Sequence, residues 1–288
     1  MKVAKTIEEI RILVFETRSS GANQIGLVPT MGALHEGHFS LIEIARSECD
    51  FVAVSIFVNP TQFGPNEDYR RYPRPLEEDL AGCESRGIDA VFAPSVDEMY
   101  PAGFVTTVSV AGLTESMEGL HRPGHFDGVC TVVAKLFNIV TPDVAYFGAK
   151  DYQQATVIKK MVADLDMPLR INLCPTIREA DGLAMSSRNA YLSDDERSQS
   201  SALSESLSLA ERLIREGSRK AEDIITDVHR HLTDKAPLGK VDYVAIVKPD
   251  SLEAVETVES DVMIALAVRF PSARLIDNVR VGMLNNKC

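Results

Sequence analysis

The chain has 288 residues, and its 45% hydrophobic and 25% charged content is that of a globular protein with one or two domains and a large core. Its formal net charge of −12 argues against a broad nucleic-acid-binding surface and against an anionic membrane as partner. A small anionic ligand is compatible with this charge where a few cationic side chains collect.

The five cysteines are dispersed, odd in number and without a Cys-x-x-Cys pair, so a reducing compartment is expected rather than a disulfide framework. They are Cys49, Cys83, Cys130, Cys174 and Cys288. The first nine residues are too polar for a signal peptide, and no run is long and apolar enough to span a bilayer. The sequence therefore predicts a cytoplasmic protein.

Strand-like and helical patterns alternate through the first part of the chain. The predicted strands cover residues 25–28, 51–58, 88–93, 104–110, 144–147 and 170–174. The predicted helices cover residues 37–49, 75–86, 128–140 and 152–165. This alternation predicts an α/β fold with a Rossmann-like, doubly wound parallel sheet, in which ligands bind at the carboxyl ends of the strands.

The pattern changes after about Thr176. Ser193-Asp194-Asp195-Glu196 is a capping box that opens a long predicted helix to about Glu216, and a second helix is predicted at 220–234. Strand-like runs follow at 241–247, 262–268 and 275–281. We therefore expect two domains, a Rossmann-like one at 1–176 and a smaller α+β one at 177–288.

His35-Glu36-Gly37-His38 is the most informative stretch, because it places two imidazoles at the start of a helix directly after the first core strand. Gly37 leaves the backbone between the rings without a side chain, so a phosphate can approach. Two imidazole donors and the N–H groups of a helix start predict an anion site. The alternative is a turn with two surface histidines. Zinc is a poorer interpretation, because the spacing is not His-Glu-x-x-His and no Cys cluster lies nearby.

Three other segments are also expected near strand ends or at the domain boundary. Gln62 offers uncharged donor and acceptor groups that suit a small polar acid, although an ordinary loop amide is the alternative. Lys150 can reach a phosphate as a point charge, and its neighbour Asp151 can cap the next helix. The run 185–188 carries two hydroxyls and the guanidinium of Arg188, which suits a triphosphate; the alternative is a solvated hinge.

These motifs resemble the pantothenate synthetase family, of the nucleotidyltransferase superfamily with the His-x-Gly-His signature. The sequence Pro-Thr-Met-Gly-Ala-Leu-His-Glu-Gly-His at 29–38 is the closest match, and runs at 58–64, 147–154 and 178–189 match in order. Two positions depart from the family pattern: Ala149, where members often carry Glu, and Arg188, where Lys is common.

The resemblance implies an ATP-dependent ligase that joins (R)-pantoate to β-alanine, uses Mg²⁺ and is commonly a homodimer. It implies catalytic roles for His38, His35, Lys150 and Arg188, and substrate contacts for Gln62 and Gln154. The implied ATP-binding residues are Met31, Gly32, Ala33, Leu34, His35, Glu36, Gly37, His38, Gly148, Ala149, Lys150, Asp151, Ile177, Met185, Ser186, Ser187 and Arg188.

The implied reaction has two steps. The pantoate carboxylate attacks the α-phosphorus of ATP, pyrophosphate leaves, and the β-alanine amine then attacks the pantoyl adenylate. In this family His38 is the proposed general acid, and the smaller domain is expected to act as a lid that excludes water.

Other features are compatible with more than one role. Arg122 and His125 fit either a pantoate pocket or a capped loop, and the acidic run 77–79 fits either Mg²⁺ binding or a solvated helix start. The rival functions are an adenylyltransferase of the same superfamily and a non-enzymatic nucleotide sensor. An aminoacyl-tRNA synthetase fits poorly, because the chain is short and acidic.

Overall fold

A computed structural model of the chain describes residues 1–65 and 67–282. The chain divides into two units, which are described separately below. Unit 1 contains residues 1–149 and 153–175, and unit 2 contains Lys150–Tyr152 and the chain from Thr176 onward. The two cores contain different residues, so each unit buries its own apolar side chains.

Unit 1 is built on one parallel sheet. Its strands are β1 (Lys2–Ala4), β2 (Ile25–Thr30), β3 (Phe51–Ile56), β4 (Ala90–Phe92), β5 (Val144–Gly148) and β6 (Arg170–Cys174). Among the described residues their order is β1-β4-β3-β2-β5-β6, and every neighbouring pair is parallel. The predicted doubly wound, Rossmann-like α/β sheet is therefore confirmed.

Helices cover both faces of this sheet. They are α1 (Ile7–Ser19), α2 (Glu36–Glu48), α3 (Leu76–Ser85), the short α4 (Val96–Met99) and α5 (Glu118–His121), α6 (His125–Val140) and α7 (Tyr152–Asp164). Leu27 lies in one apolar cluster with α1, α6 and α7, and the adjacent Val28 lies in the other with α2 and α3. Because successive strand residues point to opposite faces, the continuous apolar runs predicted as strands are buried on both sides.

The order in which strands are added to the sheet reverses at β2. This strand pairs with β3 on one side and with β5 on the other. From β2 the chain continues outward to β3 and β4, and it returns to the opposite side for β5 and β6. Such a switch point opens a crevice at the carboxyl ends of the strands. The turn that carries His35 and His38 follows β2 directly, so the sequence-predicted motif lies at this edge.

Unit 2 contains α8 (Asp194–Ser200), α9 (Ala202–Arg215), α10 (Ala221–Lys235), β7 (Lys240–Val247), β8 (Val262–Arg269) and β9 (Arg274–Val281). The three strands form an antiparallel sheet, and α9 and α10 share an apolar cluster with it. The predicted smaller α+β unit is thus observed. The capping box is also confirmed, since Ser193 Oγ accepts from the Glu196 N–H and the Glu196 carboxylate accepts from the Ser193 N–H.

Three sequence predictions of secondary structure differ from the structure. The segment predicted as a strand at 104–110 has no regular structure, and the Val105 side chain is 90% exposed, because alternation alone supplies no partner strand. The helix predicted from Ser193 to about Glu216 is two helices that meet at Ser201, in a serine-rich run whose hydroxyls bond to backbone carbonyls. The sequence patterns also do not predict β1 and α1.

In the part of the chain that the structure describes, no helix has the length and apolar character needed to cross a membrane. The described thiols Cys49, Cys83, Cys130 and Cys174 are buried and not joined in disulfides. Cys288 lies outside the described residues.

Candidate functional site

The turn between β2 and α2 is held by side-chain hydrogen bonds at both ends. The Thr30 hydroxyl donates to the Ser55 carbonyl (2.7 Å) and accepts from the Gly32 N–H (3.1 Å). The Asp79 carboxylate accepts from the N–H groups of Ala33 (2.9 Å) and Leu34 (2.7 Å). The predicted ATP-binding residues 31–34 therefore form a fixed turn rather than a flexible loop.

His35 and His38 cap helix α2 with their own rings. His35 is the N-cap residue, and its Nδ1 accepts from the Gly37 N–H at 3.1 Å. Nδ1 of His38 accepts from the His35 N–H at 3.3 Å, and the two ring centroids are 4.1 Å apart. Because Nδ1 of each ring accepts a hydrogen bond, the neutral tautomer carries its proton on Nε2. In the neutral form each ring therefore carries an Nε2–H group that can donate a hydrogen bond.

Two backbone N–H groups at the start of α2, which were predicted to bind an anion, have partners within the protein. The Gly37 N–H is bonded to His35 Nδ1, and the His38 N–H is bonded to the His35 carbonyl at 2.8 Å. These two amides are therefore used within the cap, and the imidazoles remain the predicted donors for an anion. The Glu36 side chain is 62% exposed and pairs with Arg86 (3.2 Å).

Gln62 lies in a 3-10 turn, Pro60–Gln62, just after β3, and it is buried. Its Oε1 accepts from Asn59 Nδ2 at 3.1 Å, which directs its Nε2 toward Met31 Sδ at 3.0 Å. The loops after β2 and β3 thus meet, as the strand-end rule predicts. Gln62 is fixed so that it presents an N–H donor, which suits the acceptor oxygens of a small acid.

Asn59 was missed by the sequence reasoning. It is 1% exposed, its Oδ1 accepts from the Tyr100 hydroxyl (2.8 Å), and its Nδ2 also donates to the Gly128 carbonyl (3.1 Å). A Cβ at Gly128 would lie 2.3 Å from the Thr61 carbonyl oxygen, so only glycine permits this approach of α6. The available signal was an Asn-Pro pair directly after a strand, which marks a turn.

Arg122 and His125 bind each other and the Gln62 backbone. His125 Nδ1 donates to the Gln62 carbonyl (2.8 Å), and its Nε2 accepts from Arg122 Nη1 (3.0 Å). Arg122 also forms a bidentate pair with Glu67, with both N–O distances 2.7 Å. Burial, then the Arg122 charge, lowers the pKa of His125 from 6.5 to about 4, so the ring is neutral at pH 7. Both residues support Gln62 through its carbonyl.

Helix α7 carries two adjacent glutamines, Gln153 and Gln154, and the sequence predicts that Gln154 contacts substrate. Gln153 is buried, and its amide bonds to Glu118 N–H, Leu113 carbonyl and Ser116 carbonyl. Gln154 is only half-buried. The first glutamine therefore has a structural role, and the choice of Gln154 remains a prediction.

Gly148 ends β5 and pairs with Cys174, and Ala149 begins the 3-10 turn Ala149–Asp151. Within unit 2, the Lys150 ammonium lies 3.6 Å from Asp151 and the side chain is 20% exposed. The Lys150 carbonyl accepts from Asn278 Nδ2 at 2.7 Å. This bond fixes the Lys150 backbone to β9.

The predicted triphosphate loop of unit 2 is a short hairpin. The Met185 N–H donates to the Ile177 carbonyl (3.0 Å), and Arg178 forms a bidentate pair with the buried Asp277 (2.6 and 3.0 Å). The Ser186 hydroxyl accepts from the Arg188 N–H (3.3 Å) and caps the turn Ser187–Tyr191. The structure thus brings Ile177 and residues 185–188 together, and Arg178 is an anchor that the sequence reasoning missed.

The residues present do not form a dedicated metal cage. Among residues 1–65 and 67–282 there is no group of three His, Cys, Asp or Glu side chains that could hold a metal ion. In the acidic run 77–79, Glu77 and Glu78 are exposed, whereas Asp79 is buried and bonded to backbone amides. The expected solvated helix start is therefore wrong for Asp79.

Comparisons with known proteins cover nearly the whole chain. A family model described as pantoate-beta-alanine ligase matches residues 2–280. The pantothenate synthetase of Thermoanaerobacter sp. (strain X514) is 55% identical over 98% of this chain and 99% of that protein, and that of Acetivibrio thermocellus is 54% identical over 98% and 99%.

Solved structures give the same result. A crystal structure of pantothenate synthetase from Thermus thermophilus is similar with a TM-score of 0.90 and 46% identity, covering 97% of this chain and 99% of that one. A pantoate-beta-alanine ligase from Francisella tularensis, complexed with beta-gamma ATP and beta-alanine, has a TM-score of 0.77 and 36% identity, with 97% of each chain covered.

The lowered pKa of His125 predicts an acid-sensitive stability. The unfolded chain binds a proton at this ring near pH 6.5, whereas the folded chain binds it only near pH 4, so its contribution to stability is lost as pH falls between these values. We expect His125 to reduce the free energy of unfolding by about 2 kcal/mol between pH 7 and pH 5. His125→Asn keeps a donor for the Gln62 carbonyl and should lose this dependence, measured by urea unfolding at both pH values. Equal pH dependence in the two proteins would contradict the assignment.

Proposed function

The chain belongs to the pantoate–β-alanine ligase family, and we propose that it condenses (R)-pantoate with β-alanine at the expense of ATP, through a pantoyl adenylate. The observation that carries this proposal is the pair of Nε2–H donors on His35 and His38. They follow the turn at the switch point of a parallel sheet, and Met31 of that turn contacts the fixed amide of Gln62. Pantothenate, AMP and diphosphate are the products.

In the first half-reaction the pantoate carboxylate attacks the α-phosphorus of ATP. A bond forms between a carboxylate oxygen and phosphorus, and the bond from phosphorus to the bridging oxygen of the β-phosphate breaks. No protein nucleophile is required. The developing negative charge is stabilised by the Nε2–H groups of His35 and His38 and by the cations Lys150 and Arg188, because fixed donors aimed at such charge lower the barrier.

The cap geometry favours hydrogen-bond donation by His38 over general acid catalysis. An acid must be an imidazolium, which carries a proton on both ring nitrogens. Nδ1 of His38 accepts from the His35 N–H, so a proton there would oppose this donor. We therefore assign His38 to electrostatic stabilisation in the neutral form.

In the second half-reaction the β-alanine amine attacks the acyl carbon of the adenylate. A C–N bond forms, the bond from that carbon to the phosphate oxygen breaks, AMP leaves and the amine loses a proton. The proposed contacts for the acid and the amine are Gln62 and Gln154. The proposed ATP-binding residues are residues 31–38, 148–151, Ile177 and 185–188. Mg²⁺ is proposed to arrive with the triphosphate, because Mg²⁺ is usually held by substrate phosphates and water.

ATP–pyrophosphate exchange tests this function. Exchange should require pantoate and Mg²⁺ and should proceed without β-alanine, because the adenylate forms before the amine binds. ATP binding without exchange would instead favour a nucleotide sensor. Retention of AMP in the final product would favour an adenylyltransferase.

Two variants of His38 separate its donor role from its cap role. His38→Ala removes both the Nε2 donor and the Nδ1 acceptor, whereas the His38→Asn carbonyl can still accept from the His35 N–H. Both variants should lower the exchange rate by about two to three decades, as for loss of one oxyanion donor. His229→Ala, on the exposed face of α10, is the control and should be unchanged. Near-normal exchange in His38→Asn would contradict the donor role.

We also propose that residues 177–288 act as a lid over the adenylate, because an acyl adenylate must be kept from water. The backbone amides of Met185–Arg188 should then exchange with deuterium more slowly when ATP and pantoate are present. Identical exchange with and without the ligands would contradict the lid.

The family resemblance further suggests a homodimer in the cytoplasm. The buried thiols of the described residues, none of which forms a disulfide, are compatible with a reducing compartment. We propose that Val105, which is 90% exposed in a segment without regular structure, contacts the partner copy. Sedimentation equilibrium at micromolar concentration should give twice the chain mass, and Val105→Lys should lower it. A monomer in the wild type would contradict the dimer.

A further inference from the structure

One face of α3 packs directly on the start of α2. Asp79, Gly82, Cys83 and Arg86 follow the helical spacing of three, four and seven residues and share this face. A Cβ at Gly82 would lie 2.6 Å from the end of the Phe39 ring, and the Arg86 guanidinium carbon is 3.6 Å above the centre of that ring. The helix therefore has a fixed position relative to the histidine cap.

Asp79 is the residue of this face that reaches the turn before the cap. Its side chain is almost completely buried, with 3% of the residue exposed. Oδ2 accepts from the Ala33 N–H at 2.9 Å, and Oδ1 accepts from the Leu34 N–H at 2.7 Å. One carboxylate thus binds two consecutive backbone amides, and both of its oxygens have partners.

The turn that Asp79 binds has an unfavourable backbone conformation. Gly32 has φ +83° and Ala33 has φ +50°, and the second value is uncommon for a residue with a Cβ. A Cβ at Gly32 would lie 2.9 Å from Asp79 Oδ2, so the carboxylate fills the space beside the glycine. Because the backbone preference of Ala33 opposes this turn, the hydrogen bonds to Asp79 must maintain it.

We propose that Asp79 is a positioning residue for adenylate formation, in that its carboxylate fixes the turn that aims His35 and His38. The proposal rests on the function proposed above. Leu34, which donates to Asp79, directly precedes His35, and the His35 N–H donates to His38 Nδ1. A shift of the turn therefore moves the N-cap residue and both rings together.

The carboxylate cannot be replaced by an amide without loss. In Asp79→Asn, one side-chain oxygen becomes an NH₂ group that faces a backbone N–H, so at least one of the two bonds is lost. Burial raises the pKa of Asp79, although the two amide bonds oppose this effect, so the acid is kept in a site that disfavours its charge. This placement differs from that of a metal ligand, since both oxygens are directed at backbone amides.

Asp79→Asn should lower kcat for pantoate-dependent ATP–pyrophosphate exchange by about 10- to 100-fold, because a small misplacement of catalytic donors has effects of this size. The KM for ATP should rise by a smaller factor than kcat falls, since residues 31–34 belong to the proposed ATP site but the donors act mainly on transition-state charge. Glu84→Gln, on the exposed face of the same helix, is the matched control and should behave as wild type. All proteins are assayed well below the lowest melting midpoint, so that each is folded.

Hydrogen–deuterium exchange distinguishes positioning from general destabilisation. In Asp79→Asn the Ala33 and Leu34 amides should exchange faster, whereas the β2 amides of Leu27 and Val28 should keep wild-type protection. Gly82→Ala, which disturbs the same packing through Phe39, should give a smaller loss of kcat in the same direction.

An unchanged kcat in Asp79→Asn, a loss confined to KM, or faster exchange throughout unit 1 would overturn the positioning role. Absence of pyrophosphate exchange in the wild type would instead count against the proposed function.

Discussion

The central place of β2 in a parallel sheet is the constraint on which the rest of unit 1 depends. β2 is hydrogen-bonded to β3 along six residue pairs and to β5 on its other side, and it is covered by apolar layers on both faces. Because apolar layers cover both faces of β2, side chains along the strand cannot reach a ligand. The functional residues therefore lie where the strand ends. The turn 31–34, the histidine cap and the Gln62 loop all occupy that edge.

Backbone hydrogen bonding explains why so many side chains near this edge are fixed. The amides and carbonyls of the loops have lost their strand partners, and burial makes an unpaired group costly. Asp79, Thr30, Asn59 and His125 supply the missing partners. The imidazoles of His35 and His38, which are built on this bonded backbone, are consequently held in defined directions.

The sequence predicted the fold well where the signals are local. Apolar runs gave the core strands, the Ser193 capping box gave the start of α8, and His-x-Gly-His gave the end of β2. β1 was missed because it has three residues and pairs with β4, far along the chain. The prediction of a strand at 104–110 is wrong because an alternating pattern needs a neighbouring strand to pair with. None lies there among the described residues of unit 1.

The candidate site was predicted less completely. The residue types of the four motifs could be read directly. The strand-end rule predicts that the Gln62 loop meets the turn after β2, and the structure shows this through the contact of Gln62 with Met31. The contacts of the supporting residues could not be found in this way, although the Asn59-Pro60 pair does mark a turn. Asp79 bonds to amides 46 and 45 positions earlier, and Asn59 bonds to a carbonyl 69 positions later. Such contacts depend on the packed fold, and a carboxylate or amide in a short helix or turn has no sequence pattern that reveals them.

The strand order also affects how the chain can fold during synthesis. Lys2 of β1 pairs with Ala90 of β4, so the edge of the sheet cannot close until β4 has left the ribosome. At the usual rates of translation this delay is on the order of several seconds, during which β2 and β3 can pair but α1 has only part of its final packing surface. Helix α1 keeps Ile12 and Phe15 largely exposed even in the folded unit. The apolar side chains of β1 and α1 that are buried in the folded unit, Ala4, Ile10 and Val14, therefore stay incompletely covered during this interval.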